Sequence, residues 1–167
     1  MTLVPLTPRL RRGLALGLAA LLLVTVAAGA FVGRRVLDDR RTDARGADAV
    51  AAAGQLGVNF TTLDYRTFDR DSNRVLADAT GTFKKEFAAQ SAQLKKLVTS
   101  NKAVSKGKVL SAGLVSSDAD SARVLLVVDA DVTNTSATTA VPRHYRIQVD
   151  LSRSGDRWLA NQLQFVA

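Results

Sequence analysis

Cysteine is absent from all 167 residues, which excludes disulfides, thiolate nucleophiles and cysteine-based zinc sites in one stroke. A domain of this composition, if exported, has to hold together on packing alone rather than on covalent staples. Histidine is almost as scarce, with His144 standing alone. Carboxylates would therefore have to supply nearly every ligand of a metal site. Aromatic residues make up only 5% of the chain, too few to expect rows of stacking platforms for single-stranded nucleic acid.

What is abundant is positive charge, a formal +8, and its placement matters more than its size. Arg9, Arg11, Arg12, Arg34 and Arg35 account for five of the 23 basic residues and flank a single apolar segment. The remainder of the chain carries 18 basic against 15 acidic residues. The high pI is thus a membrane-flank signature rather than a nucleic-acid signature.

The flanked segment, residues 13–33, reads GLALGLAALLLVTVAAGAFVG and contains no charge. At 1.5 Å per residue it reaches roughly 30 Å, the thickness of a bilayer core. The expected organisation is a cytoplasmic tail at 1–12, a transmembrane helix at 13–33, a juxtamembrane helical linker at 34–48 and an extracytoplasmic domain at 49–167. A cleavable signal peptide is the competing reading, with Ala28-Gly29-Ala30 as the cleavage motif. The uninterrupted length and the second arginine pair favour a retained, single-pass anchor in the cell membrane.

Beyond the linker, periodicity predicts helices followed by strands. Ala52, Leu56, Phe60 and Leu63 recur at helical spacing in an Ala-rich run, softened by Gly46, Gly54 and Gly57. A short helix is expected from about Asp71 to Ala79, with Gly81 as its C-cap. A third, from about Thr82 to Ser100, carries a stripe of Phe83, Phe87, Leu94 and Leu97. From residue 103 the period drops to two. GKVLSAGLVSSD, ARVLLVVDADV, HYRIQVDLS and RWLANQLQFV are four candidate strands separated by polar turns. In the third, Tyr145, Ile147, Val149 and Leu151 face one way, and His144, Arg146, Gln148 and Asp150 the other. Three helices and a four-stranded antiparallel meander give an α+β domain, a curved sheet wrapped by helices in the manner of the cone-like folds related to nuclear transport factor two.

Possible chemistry is thin. In TFDRDSNRVL, residues 67–76, Asp69, Asp71 and Asn73 alternate as the first ligands of a calcium loop do. Such a loop needs glycine at position six and a bidentate glutamate at twelve. Counting from Asp69, those places hold Arg74 and Thr80. The stretch reads instead as a helix start whose Asp and Asn oxygens satisfy free N–H groups. His144 lies on the polar face of its strand between Arg143 and Arg146, a poor setting for a metal. A proton-transfer site would have to draw on Asp129, Asp131, Tyr65 or Tyr145. The basic run around Lys84, Lys85, Lys95 and Lys96 contains no arginine, and its aromatics belong to the core stripe. It reads as a solvated helix face, with contact to anionic lipid as the alternative and no nucleic-acid role.

These pieces together resemble the actinobacterial Mce-associated membrane proteins, which accompany mammalian-cell-entry (Mce) lipid-import systems. LDYRTFDRDSNRVLADATGTFKKEF, AGLVSSDADSARVLLVVDADVTN, RHYRIQVDLS and RWLANQLQFV carry the resemblance. Its most specific part is Tyr65-x-Thr67, Asp69/Asp71, Arg74-Val75 and Thr80-Gly81-x-Phe83. The resemblance implies a non-catalytic accessory subunit that scaffolds a lipid or sterol importer in the cell envelope. It also implies a soluble part similar to the cone fold and to the periplasmic scaffold subunit of type IV secretion. No catalytic residue, cofactor or metal comes with it. The alternatives are a tethered cone-fold domain that binds or transforms a small apolar ligand, and a secretion-type scaffold.

Overall fold

The computed structural model describes residues 44–167. The expected tail, the membrane segment at 13–33 and most of the linker lie outside the described residues. Among the described residues no helix is long and apolar enough to cross a membrane.

Helix α1 runs over 44–61 and leads into a two-residue strand, β1 (Leu63–Asp64). Helices α2 (Phe68–Ala77) and α3 (Gly81–Ser100) follow. The chain then builds β2 (Val104–Ser117), β3 (Ser121–Thr133), β4 (Val141–Ser154) and β5 (Arg157–Phe165). The sheet order is β1-β2-β3-β4-β5, antiparallel throughout. This is the expected α+β meander with one strand more than the sequence suggests, since two residues are too few to carry a period. Bulges at Leu110 and Val115 in β2 add local twist and help curl the sheet.

The inner face of the sheet is closed by α1. Val124, Leu126 and Val128 of β3 and Ile147, Val149 and Leu151 of β4 are buried against Ala49, Ala53 and Leu56. Each such aliphatic side chain contributes about 1.5–3 kcal/mol on burial. The glycines that look like weak points of α1 are points of close approach. A Cβ on Gly57 would stand 2.8 Å from Leu126 Cδ1, and one on Gly46 would stand 2.7 Å from Leu114 Cδ2. Helix propensity is given up there so that the helix can sit closer to the sheet.

Two further corrections concern helix ends. Helix α2 begins at Phe68, whose ring is buried, so Asp69 and Asp71 lie inside its first turn rather than before it. Gly81 opens α3 instead of closing α2, whose C-cap is Asp78. Gly81 still needs to be glycine, because its φ is +53° and a Cβ would fall 1.7 Å from Asn161 Oδ1. The α2–α3 connection is pinned to β5 by Thr80 N–H donating to Ala160 O (2.7 Å) and Ala160 N–H donating to Asp78 O (2.9 Å).

Candidate functional site

Helix α3 is 20 residues long, and its apolar stripe outruns the surface available to cover it. Phe83 and Val98 are buried, whereas Leu97 is 60% exposed. Between the stripe, the end of α1 and the end of β5 lies an open groove of about 560 Å³. Its floor is aromatic. Phe60 sits 6.0 Å from Phe83, 6.2 Å from Phe87 and 6.2 Å from Phe165 between ring centroids, and Tyr145 is 5.7 Å from Phe165. The rings are tilted against one another, the arrangement that suits their quadrupoles. Leu94, Leu97 and Leu163 complete the walls, and Glu86, Gln90 and Gln93 supply the polar groups. The sequence stripe announces Phe83, Phe87, Leu94 and Leu97, but nothing local ties them to Phe60 and Phe165. That junction exists only once β5 returns beside α3.

The proton-transfer candidates do not converge. Asp129 and His144 are cross-strand partners, and Asp129 Oδ1 lies 2.6 Å from His144 Nδ1. The register thus gives the histidine an orienting carboxylate that its flanking arginines do not suggest. Both stand on the outer face of the sheet beside Leu110, Val127, Tyr145 and Arg146, with the ring 72% exposed. No serine or threonine hydroxyl bonds that ring among the described residues, so the pair lacks the nucleophile that triad chemistry requires. Asp131 is exposed, and Tyr65 packs under the Arg66 guanidinium, 5.5 Å from its centroid.

Asp71 is a buried carboxylate with fully committed oxygens. Oδ2 accepts from Asp64 N–H (3.0 Å) and from Thr67 Oγ1 (3.0 Å), while Oδ1 accepts from the Arg74 guanidinium (2.8 Å). Arg74 therefore sets a fixed positive charge against the carboxylate that a calcium ion would need. Asp69 points away and pairs with Lys95 of α3 at 2.6 Å. The Thr67 side chain makes no capping hydrogen bond to the first-turn N–H groups of α2, and the helix-capping role expected of these aspartates gives way to tertiary bonds. Asp64 is held from its ordinary 3.8 down to about 2, first by hydrogen bonds from the Arg66 side chain and then by the Arg66 backbone N–H. Among the described residues no three His, Asp or Glu side chains converge on a metal-sized space. Lys84, Lys85 and Lys96 are exposed, and Lys95 is engaged with Asp69.

The family described as uncharacterized protein Rv1363c/MT1408-like matches residues 14–167. The chain belongs to that family. Its relative "Uncharacterized protein Rv1363c" of Mycobacterium tuberculosis is 31% identical over 122 residues, 73% of this chain. The match spans only 47% of that relative's length. Among solved structures, the periplasmic domain of DotI superposes with a TM-score of 0.58 at 12% identity, over 70% of this chain and 91% of that one. CagV, a VirB8 homologue of the type IV secretion system of Helicobacter pylori, gives 0.56 at 7% identity, over 72% and 97%. An IcmL-like type IV secretion system protein of Legionella pneumophila gives 0.54 at 14%, over 72% and 91%. At such identities the likeness establishes a shared fold, the cone-like α+β domain.

Proposed function

We propose that this member of the Rv1363c/MT1408-like family is a non-catalytic accessory subunit. In this reading it is anchored in the cell membrane by residues 13–33, carries its folded domain outside the cytoplasm, and scaffolds an Mce-type lipid or sterol import complex. The observation that carries the reading is the filled interior of the cone. A cone-fold enzyme keeps the concave side of its sheet open and places a carboxylate or tyrosine in it. Here α1 lies across that side, and the inward positions of β3 and β4 are closed against Ala49, Ala53 and Leu56. The periplasmic DotI domain and the secretion proteins CagV and IcmL-like support a scaffold on fold grounds. Tethering would hold such a domain at high effective concentration beside its partners. Lys84, Lys85 and Lys96 would then be free to meet anionic headgroups.

The test is crosslinking of the full chain in its native membrane followed by co-purification. Recovery of Mce or permease subunits is expected, and their absence from the adducts would overturn the reading. A second reading follows from the aromatic groove of about 560 Å³, a size that suits a small apolar ligand. Co-purification of a stoichiometric lipid lost on Phe87→Ala would favour it.

A further inference from the structure

The two edges of the sheet are managed differently. On β5, the Asp78–Thr80 connection bonds to Ala160, and the Arg157 guanidinium reaches back to Ala77 O and Asp78. On β2, β1 covers only Val104 and Ser105, and Thr62 Oγ1 takes the N–H of Gly107. From Lys108 to Ser117 no further element among the described residues pairs with the free side of the strand. Soluble proteins blunt such an edge with charge, proline or brevity. This one is long and carries no charged residue from Val109 to Ser117. Leu110, Leu114 and Val115 are exposed on it.

We propose that the open edge of β2 pairs antiparallel with the β2 edge of a second copy of this chain, across a two-fold axis at Gly113. The sequence is complementary to itself about that residue. An antiparallel register centred there sets Leu114 opposite Ala112, Val115 opposite Ser111 and Leu110 opposite Ser116, each large side chain against a small one. Further out it brings Lys108 beside Asp118, the first residue past the end of β2, and turns Lys106 toward Asp120 in the β2–β3 turn. Within the sheet Lys106 and Lys108 stand across from Asp131 and Asp129 of β3, but they are not locked there. Neither lysine forms a salt bridge among the described residues, and the Asp129 carboxylate across from Lys108 is engaged by His144. Asp118 accepts only from the Ser121 hydroxyl. Opposite charges facing across strands stabilise a pair, and like charges there oppose it. Gly113 fits the same picture. Its added Cβ would meet nothing within 4 Å among the described residues, so no contact among them requires glycine there. Glycine within a strand commonly marks the close approach of another backbone. The bulges at Leu110 and Val115 flank it on either side, and a two-fold copy would present the same irregularities in reverse order. The inference stands apart from the identity of the transporter.

The chain's lack of cysteine makes the test direct. Full-length Gly113→Cys, in native membranes or detergent, brings two copies of one residue together at the axis. Opposed antiparallel Cα atoms lie about 4.5–5.5 Å apart, within disulfide reach. Oxidation is expected to give a disulfide-linked dimer, while Ser136→Cys, in the exposed β3–β4 loop, stays monomeric. In the Gly113→Cys background, Lys108→Glu alone or Asp118→Lys alone creates two like-charge contacts, and dimer formation should fall roughly tenfold. Combining the two reversals should restore it, which a folding defect would not do. Monomer at Gly113→Cys under conditions where a control pair crosslinks, or adducts only with other proteins, would overturn self-pairing. A dimer indifferent to the charge reversals would overturn the register.

Discussion

Replacing Asp71 separates a tertiary role for this carboxylate from the helix-capping and calcium roles that its neighbours suggest. Asp71→Ala removes the acceptor of the Asp64 N–H, of the Thr67 hydroxyl and of the Arg74 guanidinium. The three losses are unequal. The Asp64 N–H belongs to β1 and is half-buried, so leaving it without its charged acceptor costs about 1.5–3 kcal/mol. The Thr67 hydroxyl can turn to another partner. Arg74 is 44% exposed and rehydrates readily, so the ion pair adds at most about 1 kcal/mol. The expected total is about 2–4 kcal/mol, which for a domain of this size lowers Tm by roughly 8–16 °C. Asp71→Asn keeps one oxygen and should fall between. Asp69→Ala breaks only an exposed pair with Lys95 and should cost about 0.2–1 kcal/mol. Urea and thermal unfolding of the three variants, followed by circular dichroism in one detergent, gives the comparison. Adding calcium should not move the wild-type midpoint, because the Arg74 guanidinium already neutralises the Asp71 carboxylate. Equal losses at Asp69 and Asp71 would refute the reasoning, and so would a calcium-dependent rise in Tm.

Two further outcomes follow from single positions. Asp64, held from 3.8 down to about 2 by Arg66, binds fewer protons folded than unfolded between those values. Its stabilising contribution is therefore complete above about pH 4 and disappears as the pH falls toward 2. The difference in urea midpoint between the wild type and Asp64→Asn should shrink over that window; a difference that is constant from pH 6 to pH 2 would contradict the Arg66 assignment. Gly81→Ala meets both a positive φ and the Asn161 amide, so a loss of about 1–3 kcal/mol is expected. Adding Asn161→Ala should recover the steric part only, leaving about 1 kcal/mol of backbone strain; full recovery would show that φ carries no cost there.

The parts of this fold that were legible in the sequence are those written as a period. In β4 the alternation of Tyr145, Ile147, Val149 and Leu151 with polar neighbours matches the buried and exposed faces of the strand. In α3 the stripe finds its face, though only part of that face is covered. What was not legible depends on residues that meet through topology. Asp71 reads as a local cap because its neighbours are typical of a helix start, but its decisive partner is the N–H of Asp64, seven residues earlier in a strand too short to show a pattern. Gly57 reads as a flaw in α1 because propensity is a property of the helix alone. Its purpose appears only against Leu126, 69 positions later in the chain.

The same division explains why the sequence carries more information about association than about chemistry. A catalytic site needs a few groups brought together from distant positions, and here the distant encounters, Asp129 with His144 and Phe60 with Phe165, form an exposed dyad and an apolar groove. A self-pairing edge needs only one strand, and its whole code is local. Lysine at 106 and 108, aspartate at 118 and 120, and an uncharged centre about Gly113 lie in a single run of 15 residues. Shifting an antiparallel pairing by one residue puts every opposed side chain on the wrong face. The two charged ends therefore do more than attract. They penalise the registers in which lysine meets lysine or aspartate meets a leucine, and so select the one in which large faces small.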